Sequence, residues 1–99
     1  MIGKLEELTL LALIRSGADA LASDVFARVI QGQSSAAFGA VYTTLTRLVT
    51  KGLVEETSVA DDQGRKRRAF TISTGGRSAL SEAISASAVV GGWETPAWA

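Results

Sequence analysis

Residues 38–52, Phe38-Gly-Ala-Val-Tyr-Thr-Thr-Leu-Thr-Arg-Leu-Val-Thr-Lys-Gly52, decide the fold. Phe38, Val41, Tyr42, Leu45, Leu48 and Val49 recur at helical spacing and so share one helix face. The spacing predicts a helix that starts after Ser34 or Ser35, either of which could cap it, and runs to about Thr50 with Gly52 as its stop. The opposite face carries Ala36, Ala40, Thr43, Arg47 and Thr50, flanked by Ala37, Thr44 and Lys51. A surface helix shaped by stability alone would carry Glu and Lys there. Small side chains and hydroxyls instead permit close approach, and no acidic residue occurs from Gln31 to Val54. Both features suit an anionic partner.

Upstream, Leu5, Leu8, Leu10, Leu11, Ala12, Leu13 and Ile14 fit a helix over residues 4–16 with a wide buried stripe, ended by Gly17. A second helix is expected from Asp24 to about Gln31, capped by Ser23, with Val25, Phe26, Val29 and Ile30 on its apolar face. The short Gly32-Gln-Ser-Ser35 connection to the next helix makes a helix-turn-helix. Downstream the period changes. Leu53 to Ala60 is rich in Val and Thr and reads as a strand, Asp61-Asp-Gln-Gly64 as a turn, and Arg67 to Ser73 as the return strand. The resulting hairpin carries Arg65, Lys66, Arg67 and Arg68 at or beside its tip. Ser73 can cap a fourth helix in which Leu80, Ala83, Ile84 and Ala88 share a face, although Gly75 and Gly76 weaken its first turn. From Gly91 the tail has no period and is expected to be loose.

The expected fold is therefore mainly α with a two-stranded β-wing, an α+β winged helix-turn-helix in the order helix, helix, helix, hairpin, helix. Residues 1–75 would form the DNA-binding domain, 76–90 a dimerisation helix and 91–99 a flexible tail. With 99 residues, 46% of them apolar, the chain can build one core, and pairing with a second copy would enlarge the buried surface. Cysteine and histidine are both missing, which removes disulfides, thiolate metal sites and His-based acid–base or triad chemistry. No nucleophile–base pair or phosphate-cradling loop stands out, so neither an enzyme nor a cofactor is expected. The N-terminus lacks a signal-peptide pattern, and the apolar run from Leu8 to Ile14 is too short to span a bilayer, so a soluble cytoplasmic protein is expected. Net charge is zero, yet the four cations from Arg65 to Arg68 stand in one unbroken run.

The segment from Phe38 to Val54 resembles the signature of PadR-type regulators, a Gly-x-Val-Tyr-x-x-Leu-x-Arg-Leu pattern leading into Lys-Gly-Leu. Gly64-Arg-Lys-Arg-Arg-Ala-Phe-Thr-Ile-Ser73 is similar to that family's wing, Ser73 with Gly76 to its helix-opening motif, and Gly3-x-x-Glu6 followed by Leu8, Leu10 and Leu11 to its N-terminus. The chain departs from the family where Leu21-Ala22 replaces a usual Tyr-Gly pair and where Ala69 occupies an often aromatic wing position. The short region after the wing resembles the small subclass, which the resemblance implies pairs through its last and first helices. Leu5, Leu8, Leu80, Ile84 and Ala88 are the corresponding dimer candidates. The resemblance also implies that some members bind flat aromatic effectors near the dimer interface, where Trp93 could stack. The favoured alternative is that Trp93 and Trp98 simply cover apolar surface across a dimer or sit in a mobile tail.

The expected function is that of a homodimeric DNA-binding repressor. Its third helix would lie in the major groove of an inverted-repeat operator, with the wing on flanking phosphates. The candidate DNA contacts are Ser35, Ala36, Ala40, Tyr42, Thr43, Thr44, Arg47, Lys51, Arg65, Lys66, Arg67 and Arg68. Tyr42 could keep its ring in the core and offer its hydroxyl to a phosphate, and Lys51 could instead complement the helix C-terminus. Arg68 alternates with Phe70 and Ile72, so it could be oriented by the sheet or pair with Glu55 or Glu56. A winged helix can also serve as a protein–protein interaction module, the alternative function.

Overall fold

The computed structural model describes residues 2–97. Its elements are α1 (Lys4–Ser16), β1 (Ala20–Leu21), α2 (Ala22–Gly32), α3 (Phe38–Thr50), β2 (Val54–Ala60), β3 (Lys66–Ile72) and α4 (Thr74–Gly91). The four helices and the hairpin stand in the expected order. The sheet has three strands rather than two, antiparallel in the order β1-β3-β2. The extra strand pairs Ala20 with Phe70 and Leu21 with Ala69. Two residues are too short to show a period of two, which is why pattern alone misses them.

Local chemistry sets the helix ends. Glu6, the third residue of α1, accepts the backbone N–H of Gly3 through Oε1 at 3.0 Å. Its Oε2 meets Lys51 Nζ at 2.7 Å, tying the start of α1 to the end of α3. The neighbouring ammonium and the Gly3 N–H hold the Glu6 carboxyl below the usual glutamate range, with the backbone hydrogen bond the larger cause. β1 runs straight into α2, so α2 starts at Ala22, two residues before the expected start, and Ser23 is not its cap. Asp19, with φ at 54°, turns the chain into β1. Its N–H donates to Thr71 Oγ1 and its carboxylate accepts from Thr57 Oγ1, both at 2.9 Å, so this left-handed residue is fastened to the sheet. α3 begins later than expected because Ala36 N–H donates to the Gln33 carbonyl, which spends Ser34 and Ser35 on a turn. At the far end Gly52 takes φ 76°, and the N–H groups of Gly52 and Leu53 return to the Val49 and Leu48 carbonyls. That pair of bonds is a Schellman stop.

The core lies between the three N-terminal helices, the inner face of the sheet and α4. Leu10, Leu13, Val25, Val41, Leu45, Leu48, Phe70 and Leu80 are fully buried in it. Ser73 caps α4 as expected, accepting the Gly76 N–H at 3.0 Å while its hydroxyl donates to the Gly52 carbonyl. Gly76 sits so close to the Leu53 carbonyl that a Cβ there would collide with backbone. The boundary expected between residues 75 and 76 thus falls inside the first turn of a helix that packs into the common core. That helix continues to Gly91. Gly92 then adopts φ 75°, and the N–H groups of Gly92 and Trp93 both bond the Ala88 carbonyl. Trp98 lies outside the described residues. Among the described residues no helix is long and apolar enough to cross a membrane.

Candidate nucleic-acid interface

The outward face of α3 consists of Gly39, Ala40, Thr43, Thr46, Arg47 and Thr50, all exposed. Arg47 has no ion pair among the described residues, so its guanidinium is available to solvent. Ser35 is exposed in the turn before the helix. Ala36 occupies that turn rather than the helix face and packs half-buried against the core. Thr44 is a correction: it is buried at 3% exposure, and its hydroxyl donates to the Ala40 carbonyl at 2.8 Å. Thr44 stands three residues after Val41 and four before Leu48, so it belongs to the buried stripe and cannot face a partner. Phe38, assigned from its spacing to the apolar face, is 45% exposed because it opens the helix beyond the reach of the core. Its ring meets Phe26 edge-on at 5.4 Å.

The wing begins with a built turn. Asp61 and Arg65 close the hairpin through an Asp61 N–H bond to the Arg65 carbonyl at 2.8 Å, and Gly64 takes φ 76°. The Asp61 carboxylate accepts the N–H groups of Gln63 and Arg65, both at 2.9 Å. Those bonds, that of Arg65 first, hold its carboxyl below the usual aspartate range. The acid at the tip is thus a component of the turn. Its ion pairs with Arg65 and Arg67, at 3.4 and 3.7 Å, are long and solvent-facing, so they bind those cations weakly. Lys66 has no ion pair among the described residues. Arg65, Lys66 and Arg67 are all exposed.

Arg68 behaves otherwise. Its fork closes on Glu56, Nε to Oε2 at 2.7 Å and Nη2 to Oε1 at 2.6 Å. Nη1 donates to the Tyr42 hydroxyl at 2.7 Å and to Thr46 Oγ1 at 3.3 Å. The guanidinium carbon also lies over the rings of Tyr42 and Phe70, 5.0 and 5.1 Å from their centroids. Of the roles expected for Arg68, the pairing with Glu56 is the one formed, so its guanidinium is engaged within the chain rather than left free as a phosphate ligand. The Tyr42 hydroxyl is occupied by the same group, and Lys51 is engaged by Glu6. Glu56 is one of the two partners expected for Arg68 from the sequence, whereas Thr46, absent from the sequence-based set, enters only through Arg68 in the fold. Alternation along β3 places Arg68 on the inner face with Phe70, and that was the available signal.

The dimer candidates divide. Leu5 and Leu8 are half-buried and accessible, whereas Leu80, Ile84 and Ala88 are 0%, 8% and 4% exposed within one chain. These three are corrected: α4 turns its periodic apolar face into its own core. Its outer side carries Val89 and Val90 at 82% and 89% exposure, with Trp93 half exposed beyond them.

A model of the transcriptional regulator PadR-like family matches residues 21–82. No curated protein sequence matches the chain. Among solved structures, a PadR-like transcription factor from Bacteroides fragilis is similar at 26% identity and a TM-score of 0.75, over 89% of this chain and 84% of that one. Bacillus subtilis PadR in complex with operator DNA is similar in fold at 18% identity and a TM-score of 0.71, over 82% of this chain and 46% of that one. Bordetella bronchiseptica BpsR, whose DNA binding is regulated by 6-hydroxynicotinic acid, is similar in fold at 19% identity and a TM-score of 0.68, over 92% and 63%. The family is one of transcription regulators, not of enzymes. With the Val41-Tyr42 signature on α3, a wing of the expected build and a match across most of its length, the chain belongs to the PadR-like family of transcriptional regulators.

Proposed function

We propose that this chain binds double-stranded DNA as a homodimeric repressor on an inverted-repeat site, with α3 in the major groove and the wing on flanking phosphates. One observation carries the proposal. An acid-free helix face of small residues, Ala40, Thr43 and Arg47, coexists with a hairpin whose Arg65, Lys66 and Arg67 are exposed and at most weakly paired. Ala40 and Thr43 suit close approach and methyl contact, and Arg47 suits a guanine edge. The wing cations supply affinity without sequence information. The operator complex of the Bacillus relative supports the same use of the fold.

For the dimer, Leu80, Ile84 and Ala88 are already committed within one chain. The second copy would therefore meet Leu5, Leu8 and the outer side of α4. Trp93 is an exposed aromatic surface on which a flat effector of the kind named for the Bordetella regulator could stack.

The test is a pair of variants in DNA titrations. Replacing Arg65, Lys66 and Arg67 together by Ala should weaken binding to every duplex and lower the salt slope by about 0.9 for each phosphate no longer neutralised. Arg47→Ala should instead change which sequence is preferred, at about 1–3 kcal/mol for the base it reads. An unaltered affinity and slope in the wing variant would remove the wing from the interface and favour a protein partner.

A further inference from the structure

The basic run is not one functional unit. Its first three cations face solvent, while Arg68 makes four hydrogen bonds to Glu56, Tyr42 and Thr46, leaving one of its five N–H donors. The guanidinium carbon also lies over two aromatic rings, those of Tyr42 and Phe70. Its partners lie on different elements: Glu56 on β2, Tyr42 and Thr46 one turn apart on α3, and Phe70 beside it on β3. A planar fork held by four hydrogen bonds and packed over two rings has little freedom, unlike a lysine ammonium on a mobile stem. Tyr42 and Thr46 in turn flank Thr43 and Arg47 on the same helix.

We infer that Arg68, locked by Glu56, is a positioning residue that fixes the wing relative to α3, so that phosphate contacts and base contacts engage in one register. The inference rests on the proposed DNA binding and deepens it: specificity depends on an ion pair that touches no DNA. Phosphate contacts made by the wing set where along the groove α3 sits. If the wing can tilt against α3, those contacts form on any duplex but no longer align Arg47 and Thr43 with their bases. Loss of the strut therefore costs discrimination and leaves sequence-independent binding in place.

Two substitutions give opposite signs for the strut and for a phosphate ligand. Glu56→Gln keeps the shape of a surface side chain and removes the ion pair. Arg68→Lys keeps the charge and removes the fork. Binding is measured by anisotropy, across a salt series, to a duplex selected by the wild-type protein from a randomised pool and to a shuffled duplex, with thermal melts confirming that each variant is folded. The strut predicts that both variants lose about tenfold of the preference for the selected duplex, a coupling of ordinary size. Their salt slopes and shuffled-duplex affinities should stay near wild type. A phosphate ligand restrained by Glu56 would instead bind the selected duplex more tightly in Glu56→Gln and be rescued by Lys at position 68, and that result overturns the inference. A wild-type protein that selects no duplex overturns the proposed function itself, whereas selection with the phosphate-ligand signs overturns the strut alone.

Discussion

α3 and α4 are both amphipathic helices stopped by a glycine, yet they use their faces differently. α3 buries Val41, Thr44, Leu45 and Leu48 and leaves outward a face whose composition stability does not explain. α4 buries Leu80, Ile84 and Ala88, the residues that looked suited to a partner, and leaves outward Val89 and Val90. Periodicity identifies an apolar face, but it cannot tell whether the cover comes from the same chain or another. In so small a domain, the intramolecular core has first claim on such a face.

The sharpest way to break the comparison is Leu80→Ala. As a core residue, Leu80 should cost about 2–5 kcal/mol of unfolding free energy in urea titrations. A dimer residue would instead leave that free energy unchanged and shift sedimentation toward monomer. Gly76→Ala follows at about 1–3 kcal/mol, since its Cβ meets the Leu53 carbonyl and α4 must shift away from that backbone. Thr43→Ala on the outward face of α3 should leave stability within about 0.5 kcal/mol while altering DNA preference, and a large stability loss would mean that this face is not free. Val90→Ser should likewise leave the monomer within about 0.5 kcal/mol, but it should weaken self-association if the outer side of α4 meets a second copy. The smallest effect is that of acid. Glu6 and Glu56 are both held below the usual glutamate range, by the Gly3 N–H and Lys51 in one case and by Arg68 in the other. A lowered folded value means stability that is present above the unfolded value of about 4.3 and is lost as pH falls through and below it. Melting temperature should therefore drop below about pH 4.3, and by less in Glu56→Gln.

Much of this architecture is legible in the residues. Val41, Leu45 and Leu48 announce α3, Ser73 announces the start of α4, and Asp61 to Gly64 announce the turn that presents the wing. Three kinds of information are not legible. β1 is two residues long, and its existence depends on Phe70 and Ala69 arriving from about fifty residues away. Thr44 reads as polar and therefore outward, but a hydroxyl that bonds the carbonyl four residues back can be buried without an unsatisfied group. Arg68 stands in an unbroken basic run, so charge alone groups it with its neighbours. Strand alternation separates it from Arg67 and makes Glu56 a candidate partner, but Lys66 shares its strand face, and Tyr42 and Thr46 join it only in three dimensions.

The central claim, that α3 and the wing together read DNA, is tested most directly by fluorescence anisotropy of the protein with labelled DNA from immediately upstream of its own gene, against a shuffled duplex, over a salt series. The account predicts tighter binding to the native sequence, with affinity falling as salt rises. Absence of binding to either duplex at low salt would contradict it.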